Sequence, residues 1–145
     1  MAKEKRNVRI IADSRIERGD GDKENIIFSA DGTIEDDGDI ITIRYVEPGD
    51  EDTKETKNVL TFSKEKRGEV TVERHGGINS LMLFETGGRY NWQYDVGFMK
   101  MDFCTSTLAL DNSISFKKGG ELGVSYVMES HGVEMQKVKM TLTVK

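Results

Sequence analysis

The sequence predicts an all-β fold, an antiparallel up-and-down closed β-barrel of about eight to ten strands. Apolar and polar residues alternate over most of the chain, and turn-forming residues interrupt the alternation every eight to twelve residues or so. The 145 residues include 15 glycines and one proline, and many of the glycines fall between alternating segments. Long strands joined in sequence by short turns favour a barrel over a Greek-key sandwich, because closure removes exposed strand edges.

The first two predicted strands alternate with a period of two. Val8, Ile10 and Ala12 share one face of the first strand, and Phe28 and Ala30 share one face of the second. The pair Asp37-Gly38 then marks a hairpin, since this dipeptide adopts the tight turns that join antiparallel strands. The chain therefore begins with three consecutive strands.

The following strands are predicted from their β-branched and aromatic content between polar interruptions. The longest interruption covers residues 47–57. The predicted strands cover residues 40–46, 58–63, 69–74, 78–85, 89–94 and 97–110, with a last hairpin that pairs residues 122–128 with 138–144. No window has apolar residues spaced by three and four for long enough to predict a helix.

Length and charge limit the classes of function. A chain of 145 residues predicts one domain, residues 1–145, that is long enough to bury a core without disulfides or metals. The formal net charge of −5 argues against nucleic acid and against anionic membranes as partners. The oligomeric state stays open.

The one cysteine, Cys104, cannot form an internal disulfide, and a lone thiol suits a reducing compartment. The first ten residues have basic side chains without the apolar run of a signal peptide, and no apolar run is long enough to span a bilayer. We therefore expect a cytoplasmic protein.

Short motifs in a fixed order resemble the YwiB-like family of small bacterial proteins of unknown function. The resemblance covers most of the chain and is best from Glu69 onward. It rests on an Arg-x-Gly strand end, a Phe before a Gly turn, a Gly opening a long strand, and a Gly-x-Leu hairpin start followed by a Tyr: Arg74, Gly76, Phe84, Gly87, Gly97, Thr105, Leu108, Gly120, Leu122 and Tyr126. The resemblance implies a calycin (lipocalin-like) barrel and no particular activity. The chain departs from the family where Tyr94, Asp95 and Val96 precede Gly97, since the family tends to have Tyr-x-Thr-Pro-aromatic there.

Arg74 lies where the alternation requires an inward residue, beyond Val70 and Val72. Freeing it by a shift of one residue would turn the polar face of the strand inward. We expect Arg74 inside the barrel or at its rim, paired with a carboxylate, with backbone oxygens or with a bound anion. Asp95 could be the partner if its strand twists or bulges. A structural role is favoured over a ligand anchor, although the guanidinium fork suits carboxylate and phosphate groups.

An aromatic strand and several methionines complete the candidate site. Tyr90, Trp92 and Tyr94 share a face, which is typical of strand core and also suits a pocket wall. The methionines, Met99 and Met101 among them, fit a core or a compliant apolar lining. The predicted ligand-binding residues are Arg74, Tyr90, Trp92, Tyr94, Met99, Met101 and Tyr126.

The sequence has no recognisable catalytic or metal motif. The acidic turns lack the ligand spacing of calcium loops, and His75, His131 and Cys104 are too scattered for zinc. No Gly-x-Ser-x-Gly or phosphate-binding loop is present. We expect no catalytic residue, no metal and no cofactor.

Two hypotheses for function follow. The first is a non-catalytic barrel that binds a small, partly apolar or anionic ligand. The second is a protein-interaction or structural module whose barrel is filled by large inward residues, namely Phe28, Phe84, Met99, Phe103 and Tyr126. A third and weaker hypothesis, an enzyme with carboxylates at the barrel mouth, has no supporting spacing. A hollow interior would favour the first, and a solid core with an apolar outer patch the second.

Overall fold

The structure is a computed structural model that describes residues 3–49, 51–52 and 54–145. Its ten strands are β1 (Glu4–Arg18), β2 (Lys23–Asp36), β3 (Ile40–Glu47), β4 (Thr56–Ser63), β5 (Glu69–Gly76), β6 (Ser80–Glu85), β7 (Arg89–Asp95), β8 (Lys100–Asn112), β9 (Gly120–Ser130) and β10 (Val133–Val144). The described residues contain no helix, so none is long and apolar enough to cross a membrane. The predicted all-β antiparallel architecture is confirmed.

All ten strands form one antiparallel sheet. Each strand pairs with its neighbours in sequence, except that β6 and β7 do not pair with each other. β1 pairs with β10, so the first and last strands lie side by side, and the sheet edges are β6 and β7. Backbone hydrogen bonds join Asn79 to Asp95 at one end of this seam, and Gly87 and Gly88 to Thr107 at the other. The result is a nearly closed up-and-down barrel whose seam lies between two consecutive strands.

The turn between β2 and β3 follows the predicted hairpin signal. Gly38 has a φ of 106°, a conformation that side chains with a Cβ rarely adopt. The Asp37 carboxylate accepts hydrogen bonds from the backbone N–H groups of Asp39 and Ile40. Asp37-Gly38 thus supplies both the backbone freedom and the internal hydrogen bonds of the turn.

The barrel has one filled end. Inward residues of β1–β6, β9 and β10 form one buried apolar core there, and Leu110 of β8 and Trp92 of β7 pack against it. The loop between β8 and β9 closes this end with Ile114, which is fully buried. Arg67 donates to the Ile114 carbonyl at 2.5 Å and Arg6 to the Phe116 carbonyl at 2.5 Å. These bonds lock the loop into the barrel end, because they satisfy carbonyls that would otherwise be buried without a donor.

Glu35 is a buried carboxylate on the outer face of β2. Its oxygens lie 2.8 Å from the Lys3 ammonium, 2.7 Å from the Arg44 guanidinium and 3.9 Å from the Lys5 ammonium. The hydrogen bond from Lys3, supported by Arg44 against the opposing effect of burial, holds the pKa of Glu35 below its ordinary value. The charged form is therefore the one that the folded protein stabilises.

Glu35→Gln is expected to weaken the acid sensitivity of the fold. A carboxyl whose pKa is lowered on folding stabilises the protein above its unfolded pKa, about 4.3, and this contribution is lost as the pH falls through the folded value. Urea denaturation at a series of pH values should show wild type losing more stability than the variant below about pH 4.3. Glu65→Gln, at an exposed turn position, is the control and should follow wild type. Equal acid sensitivity of wild type and Glu35→Gln would contradict the prediction.

Candidate functional site

The end of the barrel opposite the Ile114 loop is open and hollow. A cavity of about 520 Å³ lies among the strand ends that lead into the β1–β2, β3–β4, β7–β8 and β9–β10 connections. Its lining is mostly apolar with a few charged groups: Ser14, Ile16, Arg18, Glu24, Ile26, Phe28, Glu47, Pro48, Arg74, Met82, Trp92, Tyr94, Met101, Phe103, Tyr126, Met128, Gln136 and Val138. Inward side chains therefore fill one half of the barrel and leave the other half empty.

Aromatic rings form one wall of the cavity. The ring of Phe103 on β8 lies 5.3 Å from that of Trp92 and 6.1 Å from that of Tyr94, measured between centroids. The indole N–H of Trp92 donates to the Thr105 hydroxyl at 2.6 Å, which orients the indole. The Tyr94 ring packs edge-on against both of the others, the Trp92 and Phe103 rings are tilted by 38°, and together the three present a rigid apolar surface to the cavity.

Arg74 points into the barrel and is paired, as predicted. Its Nη2 lies 3.1 Å from Glu47 Oε1, and its Nε donates to Asn58 Oδ1 at 3.3 Å. The Arg74 and Glu47 side chains keep 25% and 26% of their surface exposed, whereas Asn58 is 2% exposed. The guanidinium thus joins a buried amide to a carboxylate that faces the cavity.

The prediction that Asp95 could be the partner of Arg74 is wrong. Its backbone bridges Asn79 across the seam, and its carboxylate accepts from the N–H of Gly97 at 2.8 Å. Strict alternation along β7 turns the Asp95 side chain away from the barrel interior. Glu47, by contrast, continues the inward series of β3 one step beyond Tyr45. Extending the alternation to the last residue of that strand would have identified it.

Two tyrosines extend the polar part of the interior. Burial raises the pKa of Tyr126, a lining residue, to about 12, and the same effect raises the pKa of Tyr45 to about 12, with the positive charge of Arg74 opposing both shifts. Both phenols therefore stay neutral at physiological pH. The charged groups of the cavity are the arginine–carboxylate pairs Arg74–Glu47 and Arg18–Glu24. The cavity is close to electrically neutral as a result.

The structure brings five of the seven predicted ligand-binding residues together around the cavity, namely Arg74, Trp92, Tyr94, Met101 and Tyr126. Met99 was wrongly assigned to the inward face, because it lies in the turn before β8 and is 43% exposed. Tyr90 lies outside the lining, and its hydroxyl donates at 3.0 Å to Glu85, which follows the inward Phe84 and belongs to the outward face of β6. Its position near the start of β7 also carries it away from the open end.

Other lining residues did not appear among the predicted site residues. Phe28 and Phe103 were assigned to strand core, Met128 was among the methionines that fit either a core or an apolar lining, and Ser14, Ile16 and Gln136 carried no signal of a site. Core and cavity residues have the same inward alternation, so no sequence pattern separates them. Only the position of each side chain along the barrel axis does.

The remaining candidate residues stay apart. Cys104 is a free thiol on the outer face of β8, His75 pairs with Glu73 at 3.0 Å, and His131 lies in the β9–β10 turn with a φ of 51°. Over residues 3–49, 51–52 and 54–145, no three His, Cys, Asp or Glu side chains converge to hold a metal ion.

Comparison with known proteins gives a family and a fold. The uncharacterized β-barrel protein YwiB of Bacillus subtilis (strain 168) is 26% identical over 130 residues, which span 81% of this chain and 91% of the relative. The crystal structure of the ywiB protein from Bacillus subtilis superposes with a TM-score of 0.75 over 97% of this chain and 93% of that chain, at 22% sequence identity. This likeness shows that the two chains share a β-barrel fold.

The motif residues of the resemblance have structural reasons. Gly76, Gly87, Gly97 and Gly120 all have positive φ, between 80° and 141°, where residues with a Cβ are strained. Thr105 receives the Trp92 indole bond at the cavity wall. Residues 10–142 match the family described as a domain of unknown function, DUF1934, and the chain belongs to that YwiB-like family.

Proposed function

We propose that this protein is a non-catalytic binding barrel that holds a small, partly apolar ligand in its open half. The observation that carries the proposal is the empty half-barrel, a cavity of about 520 Å³ behind an open mouth. Small-molecule sites are concave, mostly apolar and of about 300–1,000 Å³, with a few polar groups that fix orientation. The relative with the same fold has no stated activity, so only the site in this structure supports the proposed function.

The lining favours a flat or flexible apolar body. Trp92, Tyr94 and Phe103 offer ring faces and edges, and Met101 and Met128 adapt to irregular shapes. Arg74 gives the ligand a polar anchor near the mouth of the cavity, where β5 ends. Because Glu47 already pairs with Arg74, a neutral hydrogen-bonding group fits without displacing anything, whereas an anionic group has to compete with Glu47.

The ion pairs that the carboxylates at the cavity mouth form with arginines support a binding role rather than catalysis. Glu47 pairs with Arg74 and Glu24 pairs with Arg18, so each carboxylate already has an arginine partner. Neither His75 nor Cys104 lines the cavity. The free thiol of Cys104 suits the reducing cytoplasm as the place of action.

The alternative, a protein-interaction module, is supported by exposed apolar side chains near the mouth. Phe98 in the β7–β8 turn is 90% exposed, and Val133 at the start of β10 is 62% exposed. These residues belong to different turns, and the barrel behind them is hollow. The hollow interior favours the ligand over a protein partner, and the two functions differ in whether a small molecule reaches the interior.

The test uses Trp92, the only tryptophan of the chain, as a reporter inside the cavity. We expect N-phenyl-1-naphthylamine, a neutral apolar probe, to quench Trp92 fluorescence saturably and to gain emission. Its anionic analogue, 8-anilinonaphthalene-1-sulfonate, tests the anionic version of the ligand. Saturable quenching by either probe supports the interior site, and emission without any response of Trp92 would overturn it.

Filling the cavity should abolish this binding. Ser14→Phe places a ring in the lining and is expected to weaken the probe at least about tenfold, since the ring occupies the space that the probe needs. Thr143→Phe adds the same ring on the outward face of β10 and should leave binding unchanged. Equal affinities of both variants would show that the probe binds elsewhere.

A further inference from the structure

A second concave surface lies on the outside of the barrel. It is an open groove of about 520 Å³ across β2, β1, β10, β9 and the β8 bulge. Its lining comes mainly from the outward faces of these strands and combines cationic, acidic, polar and apolar residues: Arg15, Ile16, Glu17, Lys23, Glu24, Asn25, Leu108, Ser125, Tyr126, Lys137, Val138 and Lys139. The wall of the sheet separates this groove from the barrel interior, so it is independent of the ligand site proposed above.

The pairing register places two cations directly opposite each other in this groove. Arg15 on β1 faces Lys139 on β10, with Asn25 of β2 beside Arg15 and Ser125 of β9 beside Lys139. Like charges directly opposite in an antiparallel pair destabilise the sheet. One row across four strands thus has a guanidinium, an ammonium, an amide and a hydroxyl, and no carboxylate.

Elsewhere the outer face compensates its charges. Arg9 faces Asp31 and pairs with it at 2.8 Å, and the like-charged pair Glu4 and Asp36 has Lys64 at 2.6 Å from the Asp36 carboxylate.

In the groove, Arg15, Lys23, Lys137 and Lys139 form no ion pair with any carboxylate of the described residues. Glu17 lies opposite Lys137 and Lys23 in the register without forming an ion pair with either, whereas no carboxylate lies opposite Arg15 or Lys139. A protein of net charge −5 therefore concentrates unpaired cations in one concave place.

An apolar wall borders the row. Leu108 continues the outward series of Cys104 and Ser106 on β8 and is 59% exposed. The register between β8 and β9 shifts between Thr107 and Ala109, and beyond this bulge it is Leu110 that packs against the core. Leu108 lines the same groove as the cations and gives it an apolar side.

We propose that this groove is a second binding site, specific for a small organic anion. Its phosphate or carboxylate group lies between Arg15 and Lys139, with Asn25 and Ser125 as hydrogen-bonding neighbours, and its apolar part contacts Leu108. The volume of about 520 Å³ fits a small molecule. The opposed cations, which cost stability in the free protein, gain a shared counter-charge when the anion binds.

The experiment follows backbone amide signals of the full chain by NMR during titration with phenyl phosphate, benzoate and neutral benzyl alcohol. We expect the two anions to shift the signals of Arg15, Ser125 and Lys139, and benzyl alcohol to shift them only weakly. Stronger binding of phenyl phosphate identifies a phosphate ligand, and stronger binding of benzoate a carboxylate. Equal shifts with benzyl alcohol would overturn the proposal.

Lys139→Glu separates binding from folding. A glutamate opposite Arg15 makes the pair complementary, so the melting temperature should rise while anion affinity falls at least about tenfold. Lys117→Glu makes the same change in net charge at an exposed position of the β8–β9 loop and should leave affinity unchanged. An equal loss of affinity in both variants would indicate attraction by net charge alone and refute the site. Binding of a single-stranded RNA oligomer without any response to phenyl phosphate would refute a small-molecule ligand.

Discussion

Phe84→Ala is expected to lower the free energy of unfolding by about 3–5 kcal/mol, the usual cost of truncating a buried phenylalanine. The Phe84 side chain is 2% exposed and belongs to the filled half of the barrel. Its ring centroid lies 4.9 Å from that of Tyr126, which lines the cavity. Removing the ring therefore adds empty volume next to a space that is already empty, and the surrounding strands cannot collapse into both.

Urea denaturation of wild type and of Phe84→Ala measures this loss of stability directly. Leu81→Ala is the matched control, because Leu81 is on the same strand but 59% exposed, and its stability should change by less than about 0.5 kcal/mol. If Phe84→Ala also stays within about 0.5 kcal/mol of wild type, the division of the barrel into a filled and a hollow half is wrong. The cavity of Phe84→Ala, enlarged by the loss of the ring, should also accept a larger apolar probe than the wild-type cavity does.

Arg74→Met is expected to lower the free energy of unfolding by about 1–3 kcal/mol. The cost comes mainly from Asn58, whose Oδ1 loses its donor while the residue stays 2% exposed. Glu47 contributes less, because it is 26% exposed and reaches water when its partner is removed. Arg74→Met/Asn58→Leu should recover part of the loss, since the second change removes the unpaired amide.

Arg89→Met controls for the loss of an arginine in general. Arg89 is 58% exposed and pairs with Glu129 at 2.9 Å on the outer face, so its replacement should cost less than about 1 kcal/mol. If Arg74→Met costs no more than Arg89→Met, the buried amide is not what Arg74 satisfies. The structural role of Arg74 would then fail.

The same Arg74 variant tests the polar anchor. Loss of 8-anilinonaphthalene-1-sulfonate binding with retention of N-phenyl-1-naphthylamine would assign Arg74 to an anionic ligand group. Equal retention of both probes would make Arg74 a purely structural residue of the cavity lining. In either case the stability measurement is made without ligand, so the two roles are read separately.

The inward position of Arg74 could be predicted because a β-strand alternates strictly, and Val70 and Val72 define the buried face of β5. Its partner could not be predicted in the same way. Glu47 is 27 residues away in sequence, and it meets Arg74 because β3 and β5 both flank β4. Neighbour relations of this kind depend on the sheet order, which local patterns do not contain.

Departures from regular strand pairing are the second feature that the sequence pattern does not predict. Met99 carries the parity of Met101 and Phe103, yet the turn that begins at Val96 keeps it outside β8. The β8 bulge between Thr107 and Ala109 reverses the parity in the same strand, so that Leu110 packs against the core. A turn or bulge breaks the period of two, and the residues beyond it no longer follow the count.

The sequence by itself determined that the chain is all-β, that its strands follow one another through short turns, and which face of each strand is apolar. These properties are local, because they depend on the alternation along one strand and on turn chemistry such as that of Asp37 and Gly38. Only the tertiary structure decided that β1 closes against β10 and that the seam lies between β6 and β7. It also decided that one half is hollow, because the inward residues of both halves alternate alike. What separates the halves is the loop at Ile114, which fills one end of the barrel and has no counterpart among the described residues that line the other.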